Sequence, residues 1–387
     1  MGNEVSYARP SSANFEYQSL QPISMPRTGK EKAANNADFA RDNQPFGNCS
    51  LLKTAFTCLW SIKTPHGMAP IPRYGHFFAF NENSRNAYIG FGVSAAGTLL
   101  QDVWCFNIDS QTWTRIHLTG EVPTPRSGAS ACLLDDTIIV FGGIQNNTLY
   151  NDLYTIDINT GQVKMVRTNG YPPPARSDCY MGFHDGKLIV FGGFKSSIYS
   201  DLFVLDTQNY EWHEVEITVT WSCQAPHCQY GNYIYSYGGD KGSNLLIINI
   251  DDETATISPC IGAAPVQDPI NGALVYCNGY LVCFGGKTKN ELTLVYALDL
   301  ETNWWFVLYV SPDQDTTTFS DGQVSNGIFL LPSFHSFSAF YDPVNRYIIS
   351  FLGVPFMDPP SIFYINVGQS FPIINLRKDM ICMYHCK

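Results

Sequence analysis

"LIVFGG" at Leu188–Gly193 repeats "IIVFGG" at Ile138–Gly143 fifty residues on, and the echoes "YIYSYGG" ending at Gly239 and "YLVCFGG" ending at Gly286 follow. An apolar run that stops on paired glycines, written again and again, marks one structural unit used several times. Taken on their first glycine, the units fall at Gly92, Gly142, Gly192, Gly238 and Gly285, with second glycines at Gly143, Gly193, Gly239 and Gly286. A degenerate sixth unit, "YIISFLGV", surrounds Gly353 and carries Leu352 where a glycine is expected. Spacings of 50, 50, 46 and 47 residues lie in the range of propeller repeats. The interval before the sixth unit is longer because the polar stretch "YVSPDQDTTTFSDGQVSNG" intervenes, which reads as a loop.

Each unit has the same internal order. A short strand and a turn lead into the apolar strand, then come a polar loop, a third strand, a turn and a fourth strand. The third strands "DVWCFNI", "DLYTIDI" and "DLFVLDT" begin at Asp102, Asp152 and Asp201, and Trp113, Val163 and Trp212 follow eleven residues later. Four short strands per unit is the content of a propeller blade, whose faces are buried only when neighbours stack in a ring. The strand before the glycines is continuously apolar because both of its faces are covered. Glycine is expected at its end because the chain turns sharply there and passes close to a bulky aromatic. Trp113, Trp212 and Trp305 are expected to pack between blades.

Paired glycines, an aromatic in the third strand and a tryptophan in the fourth resemble the kelch-repeat β-propellers over about Trp60 to Ile374. The resemblance implies an all-β, six-bladed ring of four-stranded antiparallel blades. Trp60 stands thirteen residues before Arg73, as Trp113 stands before Arg126, so Trp60 reads as the outer strand of the last blade, closing the ring from the N-terminal side. "SFPII" at Ser370–Ile374 competes for that place, with Pro372 at the tryptophan position. The expected organisation is an N-terminal tether over residues 1–50, the propeller over 51–374 and a tail over 375–387.

A net charge of -11 with 15% charged residues argues against nucleic acid as partner. Twelve scattered cysteines read as buried thiols, and "CMYHC" at Cys382–Cys386 lacks a second cluster to complete a zinc site, so neither metal nor cofactor is expected. No sialidase-type or iron-binding spacing occurs. The resemblance therefore implies a non-catalytic scaffold or adaptor that binds a protein; the alternative is a propeller enzyme acting on an anionic sugar.

Arginines recur before the innermost strand in "PRYGH" (Arg73), "PRSGA" (Arg126) and "ARSDC" (Arg176). In kelch interaction domains matching arginines line a basin for acidic peptides, which makes these three candidate binding residues for an acidic or phosphorylated segment. The other reading pairs each arginine with an aspartate of a neighbouring blade. Lys195 and Lys287, in the loops after the glycines, complete the candidate set. "MGNEVS" matches the N-myristoylation pattern, making Gly2 a candidate lipid site with weak membrane association. The chain is expected in the cytoplasm.

Overall fold

The computed structural model describes residues 57–371, apart from 241, 243, 263, 266–268, 289–291, 313–330, 369 and 370. Gly2, the expected tether over 1–50 and the tail over 375–387 lie outside the described residues. Six blades follow one another in chain order. Blade one is built from Phe77–Asn81, Asn86–Gly90, Val103–Asn107 and Thr112–Ile116; blade two from Ser130–Leu134, Thr137–Phe141, Leu153–Asp157 and Gln162–Val166. Blade three comprises Tyr180–His184, Lys187–Phe194, Ile198–Asp206 and Glu211–Val215, and blade four His227–Tyr230, Tyr233–Tyr237, Asn244–Asn249 and Thr254–Pro259. Blade five takes Ala273–Cys277, Tyr280–Phe284, Val295–Asp299 and Trp304–Pro312. Blade six joins Ser338–Asp342, Tyr347–Phe351 and Ile362–Asn366 to Thr57–Lys63 from the other end of the chain, with Trp60 opposite Ile365.

Within each blade the strands form an antiparallel meander, first to second to third to fourth. The second strands are the most buried, Tyr280–Phe284 throughout its length, while the fourth strand Thr112–Ile116 buries Trp113 alone. The outer tryptophans sit between blades. Trp113 meets Phe351 of blade six at 4.9 Å, Trp212 meets Phe141 of blade two at 6.1 Å, and Trp305 meets Tyr237 of blade four at 4.6 Å. Trp60, fully buried, belongs to the cluster between blades five and six. Blade four has no outer tryptophan; Ala255 stands there, opposite Ile248.

The chain leaving the fourth strand of blades one, two, four and five runs a short way beside the next blade's fourth strand, in parallel. Thr119–Gly120 pairs with Gln162–Val163, Asn169–Gly170 with Glu211–Trp212 and Ile261–Gly262 with Trp304–Trp305. Tyr309–Pro312 pairs with Thr57–Trp60 in the same sense, so the seam in the ring carries the link used between ordinary neighbours. At Gly170 a Cβ would strike the carbonyl of Trp212, and φ is +75°, so only glycine fits this crossing.

The glycine pairs hold a second link and correct the sequence alignment. Phe91 (φ 65°) and Leu352 (φ 64°) occupy the place of Gly142, Gly192 and Gly285 (φ 65°, 63° and 68°), so Gly92 is a second glycine, not a first. The second glycine is the demanding one. At Gly193, with φ +108°, a Cβ would lie 2.8 Å from the carbonyl oxygen of Ser177, so the crowding there comes from backbone, whereas at Gly239 it would come from the ring of Trp221. In return the second glycine donates its N–H to the next blade: Gly92 to Arg126, Gly143 to Arg176, Gly286 to Phe334 and Gly353 to Arg73, each on the carbonyl.

Candidate functional site

The first strands of all six blades converge on a central channel of about 670 Å³. At its mouth the turn before each first strand is held by the turn of the adjoining blade. Gly128 N–H donates to Gly75 O at 2.8 Å, Asp178 to Gly128 at 2.7 Å, Asn271 to Gln224 at 2.8 Å and Ser336 to Asn271 at 2.7 Å. Gly75, Gly128, Asp178, Asn271 and Ser336 all stand at left-handed φ, the shape that turns each amide toward its neighbour. Side chains that follow these turns therefore point into the channel from fixed backbone.

Three channel histidines stay neutral. His76, whose Nε2 lies 2.8 Å from Ser338 Oγ, is pushed down to about 3 by burial and by the charge of Arg73. His227 stacks on Tyr180 at 4.0 Å and is lowered to about 4 by burial; His335 is lowered by burial and by Lys287. Asp178, beside Gly128, is raised by burial. The channel thiols Cys179 and Cys223 are each pushed up to about 11, burial being the main cause, which keeps them protonated and poor as nucleophiles. Among the described residues no group of three or more His, Cys, Asp or Glu is placed to hold a metal ion.

The three arginines expected at the mouth are turned into the blades. Arg73, Arg126 and Arg176 are 0%, 2% and 0% exposed. Each guanidinium pairs with the aspartate that begins the third strand of its own blade, not a neighbour's: Arg73 with Asp102 at 2.5 Å, Arg126 with Asp152 at 2.6 Å, Arg176 with Asp201 at 2.5 Å. Nη1 also donates to the carbonyl of Phe91, Gly142 or Gly192, and Nε to that of Ile71, Thr124 or Pro174. Arg126 lies over the ring of Tyr150 at 4.0 Å and Arg176 over Tyr199 at 4.5 Å. Burial would raise Asp102, but the hydrogen bonds and charge of Arg73 outweigh it and hold the carboxyl below its usual range. With four of its five N–H donors engaged inside the blade, each fork fills its own blade, the geometry of the second of the two readings with the aspartate in the same blade instead of the next. The signal was present in sequence, since Asp102, Asp152 and Asp201 recur with the arginines.

Lys195 and Lys287 are exposed, and Lys287 lines the channel. Sequence reasoning missed the apolar rim beside them. Phe194 is 43% exposed, Tyr74 40% and Phe356 36%, with the rings of Tyr74 and Phe356 at 6.0 Å. Tyr74 and Phe194 both line the channel. Nothing repeats at these positions, so no periodicity could have marked them. The mouth thus combines turns tied to one another by backbone hydrogen bonds with an exposed aromatic rim and two lysines.

Residues 38–227 match the model of the KLHDC2/KLHL20/DRC7 Kelch-repeats domain. Tip elongation aberrant protein 1 of Schizosaccharomyces pombe is 27% identical over 150 residues, which is 37% of this chain and 13% of that protein. Human host cell factor 1 is 33% identical over 87 residues, covering 22% of this chain and 4% of its own length. Dynein regulatory complex subunit 7 of Chlamydomonas reinhardtii is 31% identical over 84 residues, 22% of this chain and 7% of that protein. The chain thus spans only a small part of each of these relatives.

Proposed function

This chain is a kelch-repeat β-propeller, and from that premise we propose that it is a non-catalytic scaffold or adaptor whose protein partner docks across the channel mouth and the loops around it. The supporting observation is the convergence of six blades on one mouth whose rim exposes Phe194, Tyr74 and Phe356 beside Lys287. Aromatic anchors within a polar surround are the usual carriers of binding energy. With the arginines paired inside the blades, an acidic or phosphorylated segment of the partner would meet Lys195 and Lys287. No helix among the described residues is long and apolar enough to cross a membrane. A myristoyl group on Gly2 would add one weak membrane contact. An enzyme acting on an anionic sugar is supported neither by the matched relatives nor by the cysteine and histidine environments of the channel.

The test compares partners retained by the wild type and by the double variant Phe194→Ser, Lys287→Glu. Proteins captured by the wild type should bind the variant at least about tenfold more weakly, a difference of about 1.4 kcal/mol, while its melting temperature is unchanged. A partner that binds both forms equally would place the contact elsewhere and refute the mouth.

A further inference from the structure

Among the described residues, five of the six outer strands carry a parallel partner, and the outer strand of blade four, Thr254–Pro259, carries none. Blades two, three and five receive the chain crossing from the blade before, blade six receives Tyr309–Pro312, and blade one receives His66 at Thr112. The cause is chain length. From Trp212 to Ser222 is ten residues, whereas Trp60 to Arg73, Trp113 to Arg126 and Val163 to Arg176 each take thirteen. Three residues are worth about 10 Å of extended chain, so the crossing from blade three reaches the mouth without the detour along its neighbour.

Where the crossing is present it makes a fixed set of bonds. Thr119 and Glu121 donate their N–H groups to the carbonyls of Gly161 and Val163 at 2.9 and 3.0 Å; Asn169 and Tyr171 donate to Tyr210 and Trp212 at 2.8 and 2.9 Å. Glu253 and Ala255 hold those two places in blade four, Glu253 at φ 56° as Tyr210 is at 55°, and among the described residues no crossing N–H reaches either carbonyl. Blade three touches this corner by side chain alone, Lys187 and His213 lying 2.7 and 2.8 Å from the Glu253 carboxylate. The strand itself has no buried residue, leaves Ile257 41% exposed and carries no charge. An unpaired, uncharged edge accepts an added strand. The filled edges show its form: an extended residue–glycine–residue segment, as in Thr119–Glu121 and Asn169–Tyr171, whose first and third residues donate. A second copy of this chain fits less well, because two identical edges related by a twofold axis across the sheet pair antiparallel, and these acceptors are set for a parallel strand.

We propose that the outer edge of blade four is a second interaction surface, at which an extended, glycine-containing segment of a partner protein adds as a parallel strand in the place of the missing crossing. This edge is separate from the channel mouth and does not depend on what docks there.

The probe is an acetylated and amidated peptide copying Thr168–Pro172, the crossing that fills the edge of blade three, titrated into the full chain labelled with ¹⁵N. It should shift the amide resonances of Thr254–Ser258 saturably with a millimolar dissociation constant, and the same peptide N-methylated at the positions of Asn169 and Tyr171 should bind at least about tenfold more weakly. Ala255→Pro, which removes an N–H from the edge and is checked for unchanged melting temperature, should also weaken the peptide at least about tenfold; Phe194→Ser with Lys287→Glu should not. In the free chain the Ala255 amide should exchange with solvent at least about a hundredfold faster than those of Val163 and Trp212. Equal binding of the N-methylated peptide, no shift at Thr254–Ser258, or a response untouched by Ala255→Pro would each overturn the proposal. So would slow exchange at Ala255: persisting on dilution, it would assign the edge to another segment of this chain, and relieved by dilution, to a second copy.

Discussion

Blades one to three and blades four to six share one backbone plan but fill its centre with different chemistry. In the first half an arginine before the innermost strand pairs with an aspartate before the third: Arg73 with Asp102, Arg126 with Asp152, Arg176 with Asp201. In the second half the strand registers put Ser222 and Asn244, Pro269 and Leu294, and Phe334 and Ser361 at those two places. Both members change together. Trp221 fills the space in blade four, its Nε1 donating to Ser236 Oγ at 2.9 Å, and Phe334 fills it in blade six, stacked on Phe363 with centroids 5.0 Å apart. At four of the six boundaries a backbone link persists whatever side chain stands there, the carbonyl of Arg126, Arg176, Phe334 or Arg73 accepting the preceding blade's glycine amide, while the carbonyls of Ser222 and Pro269 accept from Ala225 and Gly272 instead. The common demand on all six blades is therefore a filled centre, and the ion pair is one of several ways to provide the filling.

That comparison breaks first at the ion pairs. Asp201→Ala leaves the buried charge of Arg176 without its partner and should cost about 3–5 kcal/mol in denaturant unfolding. Arg126→Glu should unfold the protein more severely still, since it places a carboxylate against Asp152. The double change Arg176→Phe, Asp201→Ser, which copies the pair in blade six, should recover most of the Asp201→Ala loss. If the double variant is no more stable than the single one, the two halves are not interchangeable and the pair has a role that filling cannot supply.

A smaller effect separates the two glycines of a pair. The first position already holds Phe91 in blade one and Leu352 in blade six at φ near 65°, so Gly192→Leu should cost no more than about 1–2 kcal/mol. Gly193→Leu meets both a φ of +108° and the Ser177 carbonyl, so it should cost several-fold more, on the order of 4 kcal/mol. Equal losses in chemical denaturation would contradict the reading of Gly193 as the more demanding member of its pair.

The ring, its six blades and the outer tryptophans were legible in sequence because each rests on residues that recur: apolar second strands, glycine pairs and Trp113, Trp212 and Trp305. The contents of the mouth were less so. Recurrence of Arg73, Arg126 and Arg176 invited a binding role, yet a residue that repeats in register is answering a demand made in every repeat, and their recurring aspartate partners were the better guide. The exposed Phe194, Tyr74 and Phe356 occur once each, and the channel they border exists only once six blades have come together. Neither leaves a period in the chain. Gly120, Gly170 and Gly262 do recur, but each follows a fourth strand as an isolated glycine in a polar stretch, where a loop explains it equally well until the parallel pairing is seen.

The smallest expected difference between blades concerns the residue after the mouth turn, which is His76 in blade one but Ala129, Cys179 and Phe337 in blades two, three and six. His76 titrates near 6.5 when unfolded and near 3 in the folded ring, burial and Arg73 both disfavouring its cation. A folded pKa below the unfolded one means that the neutral form is the stable one. The contribution is fully present above pH 6.5 and is lost as pH falls from 6.5 toward 3, with a slope of up to about 1.4 kcal/mol per pH unit. Asp102, also lowered in the fold, acts in the same direction near and below the ordinary carboxylate range, and Asp178, raised by burial, acts in the opposite direction; both are present in wild type and variant alike, so the difference between the two curves reports His76. His76→Gln keeps a polar group within reach of Ser338 and removes one of these titrations. Its melting temperature should therefore decline less steeply than the wild type's between pH 6.5 and 5, and parallel curves would show that the His76 cation is tolerated inside the ring.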